Sequence, residues 1–110
     1  MARTPRMDQI EALLADDPND PFLRYGLAME HVSQGDDATA VQQFRDLIAL
    51  HPHAPYIPAF LMCAQALARL GKEGEAADVL KQGIATATVV GTPEALHARG
   101  EMEGMLATVE

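Results

Sequence analysis

One displacement recurs along this sequence and restricts its fold more than any other feature. Gly35, Ala40 and Phe44 return as Gly71, Ala76 and Leu80, each 36 residues further on. A nearby spacing of 34 residues pairs Pro18 with Pro52, Ile10 with Phe44 and Leu13 with Leu47. Constant displacement marks a structural repeat, and one repeat cannot bury its apolar side alone, so copies must stack on each other. By this offset the first helix is the second half of a repeat.

Punctuation divides the repeats into helices. Thr4-Pro5, Asp20-Pro21 and Thr92-Pro93 each put a capping side chain before a proline suited to the first helical turn. Gly35 and Gly71 close helical patterns just before charged residues, as in tight helix-to-helix turns. The expected helices are 5–16, 21–34, 37–50, 56–70, 73–87 and 93–108. The β-branched residues between Thr86 and Val90 run into Gly91-Thr92-Pro93, which is turn chemistry, and no sheet is expected. Aromatic residues are only 5% of the chain, which suits closely packed helices with small side chains.

These residues resemble the tetratricopeptide repeat (TPR) family, whose motif runs W-x2-L-G-x2-Y, then A-x3-F, then P, over ~34 residues. In the first full repeat Arg24, Leu27, Ala28 and His31 occupy the Trp, Leu, Gly and Tyr positions, and Ala40, Phe44 and Pro52 match outright. In the second, Phe60, Cys63, Ala64, Leu67, Ala76 and Leu80 fill the series, while Thr88 replaces the terminal proline. Helix 73–87 is therefore expected to run on a little. Bulk at Ala28, Ala40, Ala64 or Ala76 would force paired helices apart. The two extra residues between the repeats fall near the proline-rich loop 51–55.

The resemblance implies an all-α, TPR-like right-handed superhelix of antiparallel helix pairs, forming one domain over 1–110. Residues 5–18 are a half repeat and leading cap, 21–52 and 56–88 the two full repeats, and 92–109 the trailing cap. It also implies a concave groove lined by the first helix of each pair. That assigns Phe22, Tyr25, Met29 and Val32 to the groove, one stripe by their spacing, followed by Pro58, Leu61, Gln65, Ala68 and Arg69. A plain core role is the alternative for this stripe. Some family members clamp a C-terminal carboxylate with Lys, Asn and Arg; Tyr25, Met29, Leu61 and Gln65 stand at the corresponding places, so that clamp is not expected. Arg24 and Arg69 could meet an acidic partner, although a solvated arginine is the plainer reading.

Charge narrows the partners. Eight basic against 16 acidic residues give a formal charge of −8, which opposes nucleic acid and anionic membrane. Cys63 is the only cysteine, so no intrachain disulfide can form, and a reducing cytoplasmic location is expected. His51, His53 and Cys63 do not make a defined metal set. His97 and Glu101, one turn apart, are the best acid–base pair on offer, and such pairs are commonplace on helices. No metal, cofactor or catalytic site is expected. The turns Asp16-Asp17-Asp20 and Asp36-Asp37 suit helix starts. Gly100 and Gly104 inside the last helix suggest close packing against a neighbour, and its Leu96, Met102, Met105, Leu106 and Val109 suit a terminal cap.

The functional reading is a non-catalytic protein–protein interaction module, a scaffold or adaptor. Its apolar groove would hold a peptide, a helix or a second copy of the chain. A purely structural homo-oligomerisation unit is the alternative, and a small metal-binding protein or enzyme a remote one.

Overall fold

The computed structural model describes residues 3–110. Six helices follow one another: α1 (Pro5–Asp16), α2 (Pro21–Ser33), α3 (Asp37–Leu50), α4 (Pro58–Arg69), α5 (Glu73–Val90) and α6 (Pro93–Val109). There is no strand among the described residues.

Local chemistry accounts for the boundaries. The side chains of Thr4, Asp20, Asp36 and Thr92 accept the backbone N–H groups of Met7, Leu23, Thr39 and Ala95, satisfying donors that a helix start leaves free. The hydrogen bonds from Thr39 hold the Asp36 carboxyl below its ordinary pKa. At the other ends, Gly35 and Gly71 take φ values of 75° and 78°, which cost a residue without Cβ little. Each makes the same pair of bonds: Gly35 and Asp36 N–H donate to the Val32 and His31 carbonyls, and Gly71 and Lys72 N–H to those of Ala68 and Leu67. The 36-residue displacement thus reaches down to individual backbone hydrogen bonds.

Two boundaries lie two or more residues from the expected numbers, and the second is the run-on anticipated for α5. α4 begins at Pro58 rather than 56, and Ile57 precedes it without a side-chain cap. α5 continues to Val90, where Gly91 turns left-handed at φ 68° and its N–H closes on the Ala87 carbonyl. With Thr88 in place of a proline, nothing stops the helix sooner.

Consecutive helices pack in chain order, and α6 also reaches back to α4. Ala28, Ala40, Ala64 and Ala76 are fully buried at the crossings, alongside Phe44, Leu47, Leu67 and Leu80. Met7, Ile10 and Leu27 form a smaller cluster between α1 and α2. The close neighbour anticipated for Gly100 and Gly104 is not there: a Cβ added at either would meet nothing within 4 Å. The close approach is instead at Gly83 on α5, which lies against Phe60 and Met102.

Cys63 is buried at the motif's packing position, and burial pushes its thiol up to about 11. The thiolate is the reactive form. A water-soluble thiol reagent at pH 7.5 is therefore expected to leave the folded chain unmodified and to react within minutes once denaturant is added. Rapid stoichiometric labelling of the native protein would contradict this.

Candidate protein-interaction surface

The residues of the expected groove start from α2, whose stripe Phe22, Tyr25, Met29 and Val32 runs along one side. Tyr25, Met29 and Val32 are half-buried and packed on the main core. The Tyr25 ring leans on Phe44 at 5.9 Å between centroids and on Tyr56 at 5.0 Å, both tilted, an arrangement that suits aromatic quadrupoles. Burial first, and the neighbouring Tyr56 second, raise the Tyr25 hydroxyl above its ordinary pKa. Both rings are thereby fixed in place and uncharged across the physiological range. Phe22 is the exception on this stripe, 70% exposed at the first turn of α2.

Phe22, Tyr25 and Met29 line one pocket of about 440 Å³, and its opposite wall is α1, not α4. Ile10 and Leu13 form that wall, Gly26 lies at its floor with 3.5 Å between an added Cβ and Ile10 Cδ1, and Arg6 and Glu30 close one end as an ion pair at 3.6 Å. Leu13 is 55% exposed. The pocket is thus an apolar slot with two large uncovered side chains at its rim.

The remaining expected groove residues lie apart from the slot. Val32 and Leu61 pack on the core, and Gln65 is half-buried on α4. Arg69 is occupied within the fold: its Nε and an Nη bond the Asp37 carboxylate at 2.9 to 3.1 Å. This exposed pair joins the end of α4 to the start of α3 and contributes at most about 1 kcal/mol. Arg24 donates from Nε to the Pro18 carbonyl. Leu13, Ile10 and Tyr56 were not anticipated as surface-forming residues. The offset pairing Leu13 with Leu47 held the signal, since a second-half helix needs a first-half helix to cover it.

The other candidates have ordinary settings. His51 Nε2 lies 2.8 Å from the Asn19 carbonyl and ties two loops together. His97 and Glu101 approach at 3.7 Å on the exposed side of α6, outside any described pocket. Among the described residues no three His, Cys, Asp or Glu side chains are placed to share a metal ion, and no helix is long and apolar enough to cross a membrane.

Antiparallel helix pairs, stacked at a fixed displacement and crossing through buried alanines, define a helical repeat protein. No family model matches the chain, and no curated protein does. Among solved structures the chain is similar to a tetratricopeptide repeat domain protein from Salinibacter ruber. Its solution NMR structure superposes with a TM-score of 0.74 at 29% identity, covering 84% of this chain and 89% of that one. Its crystal structure superposes with a TM-score of 0.71 at 28% identity, covering 82% and 94%. The chain has the all-α fold of a tetratricopeptide repeat domain, and that fold is one of a general protein-interaction module.

Proposed function

We propose that the chain is a non-catalytic scaffold or adaptor that holds a helix or peptide of another protein against α2. Phe22, Tyr25, Met29 and Val32 supply the contact, continued by Leu61, Gln65 and the edge residue Arg69. The observation that carries this reading is the 70% exposure of Phe22 above a pocket whose Ile10, Tyr25 and Met29 are held by the core. An exposed aromatic beside pre-formed apolar walls gains by burial without having to order the walls first. No cofactor enters this reading. The charge of −8 argues against nucleic acid as the partner, and the buried, unpaired Cys63 suits a reducing cytoplasm.

Peptides selected from a random library on the immobilised chain provide the test. Met29→Glu is expected to weaken the selected peptides tenfold or more, about 1.4 kcal/mol, because it puts a charge on the apolar wall. Gln42→Glu, on the exposed surface of α3, is expected to leave them unchanged. Equal losses from both variants, or a library that yields no binder, would remove the support for this surface.

A further inference from the structure

The internal repeats provide a template for the open side of α1. Arg6, Ile10 and Leu13 stand 34 residues before Ala40, Phe44 and Leu47. Those three residues of α3 are fully buried in the packing around α2 and α4. On α1 the equivalent row is only partly covered: Ile10 is buried, while Arg6 and Leu13 are exposed. Among the described residues α1 packs chiefly on α2. The slot between α1 and α2 is thus where the internal pattern places the first helix of a pair, and its walls are apolar at Ile10, Leu13, Phe22 and Met29.

We infer that this slot receives a helix of a partner protein, apolar along the side facing Leu13 and Phe22 and basic near the end of α1. This rests on the interaction reading above and names the kind of partner.

Charge selects the occupant. Between Arg3 and Glu30 the chain carries three arginines and six carboxylates. The arginines are all engaged: Arg3 with Asp8 and Glu11, Arg6 with Glu30, and Arg24 on the Pro18 carbonyl. Asp16 and Asp17 have no cationic partner among the described residues, and they follow Leu13 by three and four residues, one turn further along α1. The last turn of α1 contains no basic residue, so the free carbonyls of the helix end add to the same negative potential. A lysine or arginine entering beside Leu13 finds this potential uncompensated.

A second copy of the chain fits less well in either arrangement. Two slots brought face to face about their exposed Leu13 and Phe22 would bring the unpaired Asp16 and Asp17 carboxylates of the two copies near each other. The last helix of another copy has its own apolar side occupied, with Ala95 and Met102 buried and Met105, Leu106 and Val109 packed on the core. What α6 leaves open is largely polar or glycine, at Glu94, His97, Gly100, Glu101, Glu103 and Gly104, with Leu96 and Ala107 its exposed apolar side chains.

The test uses two labelled synthetic 18-residue helices with one leucine stripe, the remaining positions lysine in the first and glutamate in the second. The lysine helix is expected to bind at least tenfold more tightly. Its amide shifts in the protein NMR spectrum should cluster from Ile10 to Met29. Leu13→Glu and Phe22→Glu change exposed side chains, and each should weaken it tenfold or more. Asp16→Lys combined with Asp17→Lys should weaken it and flatten its salt dependence. Shifts scattered over the whole acidic surface, or binding indifferent to Phe22→Glu, would overturn the assignment. So would a light-scattering mass showing a dimer that Phe22→Glu dissociates, because the occupant would then be a second copy. If library peptides depend on Met29 while the lysine helix fails to dock, the slot assignment alone falls and the interaction surface stands.

Discussion

Replacing Gly83 by alanine is expected to destabilise the protein, although alanine is the better helix former. Propensity alone favours Gly83→Ala by up to about 1 kcal/mol in a helix interior. The position, however, lies where α4, α5 and α6 meet. A Cβ built on Gly83 would stand 2.5 Å from Met102 Sδ, 2.7 Å from Phe60 Cβ and 2.9 Å from Phe60 Cγ. The methionine is flexible and could swing its sulfur aside, but Phe60 Cβ is bonded to the backbone of α4 and moves only with it. The helices must separate, and overpacking of this kind typically costs ~1–3 kcal/mol. The net result should be a lower melting temperature in far-UV circular dichroism. Gly100→Ala is the matched control, because its added Cβ meets nothing within 4 Å and the propensity gain should survive intact. If Gly83→Ala melted higher than the parent, the tight crossing at Phe60 would not exist as described.

That contrast shows where sequence reasoning stops. The turns at Gly35 and Gly71 were legible because the needed information is local: a glycine at the left-handed position, a helical pattern before it and a charged start after it. The run-on of α5 was legible for the same reason, since Thr88 stands where the motif would place a proline. A glycine inside a helical pattern carries no such signal. Gly100 and Gly104 were expected to mark a close packing that Gly83 has instead, and only the path of α6 across α5 separates the crowded position from the open two.

The candidate surface was legible to a similar depth. Spacing put Phe22, Tyr25 and Met29 on one stripe of α2, and they do line one pocket. Periodicity fixes which side of a helix a residue occupies but not which neighbour faces it, so the opposite wall was sought on α4 when α1 provides it. Arg69 illustrates the same gap, since its partner Asp37 is 32 residues away and belongs to no local pattern. Tyr56 was hidden by its place at the end of a proline-rich loop, where composition speaks of turns and not of a ring tilted against Tyr25.

Phe44→Ala is expected to be among the most damaging single changes, with consequences for the surface as well as the core. Phe44 is fully buried, and truncating such a ring removes its transfer free energy and leaves a void, together about 3–5 kcal/mol. Against a total stability of roughly 5–15 kcal/mol for a domain, that removes a large fraction. Tyr25 rests on this ring at 5.9 Å and Tyr56 rests on Tyr25, so the void opens beneath the stripe that carries Met29. Peptide affinity should therefore fall along with stability, even under conditions where the variant is still folded. Phe44→Leu separates the two effects. The second repeat has Leu80 at the corresponding position, fully buried, so a leucine is compatible with the crossing and should cost well under half as much. It does not restore the ring beneath Tyr25, and peptide binding should remain weakened. A Phe44→Leu protein that is close to parental in stability and also in peptide affinity would show that Tyr25 needs no support from Phe44.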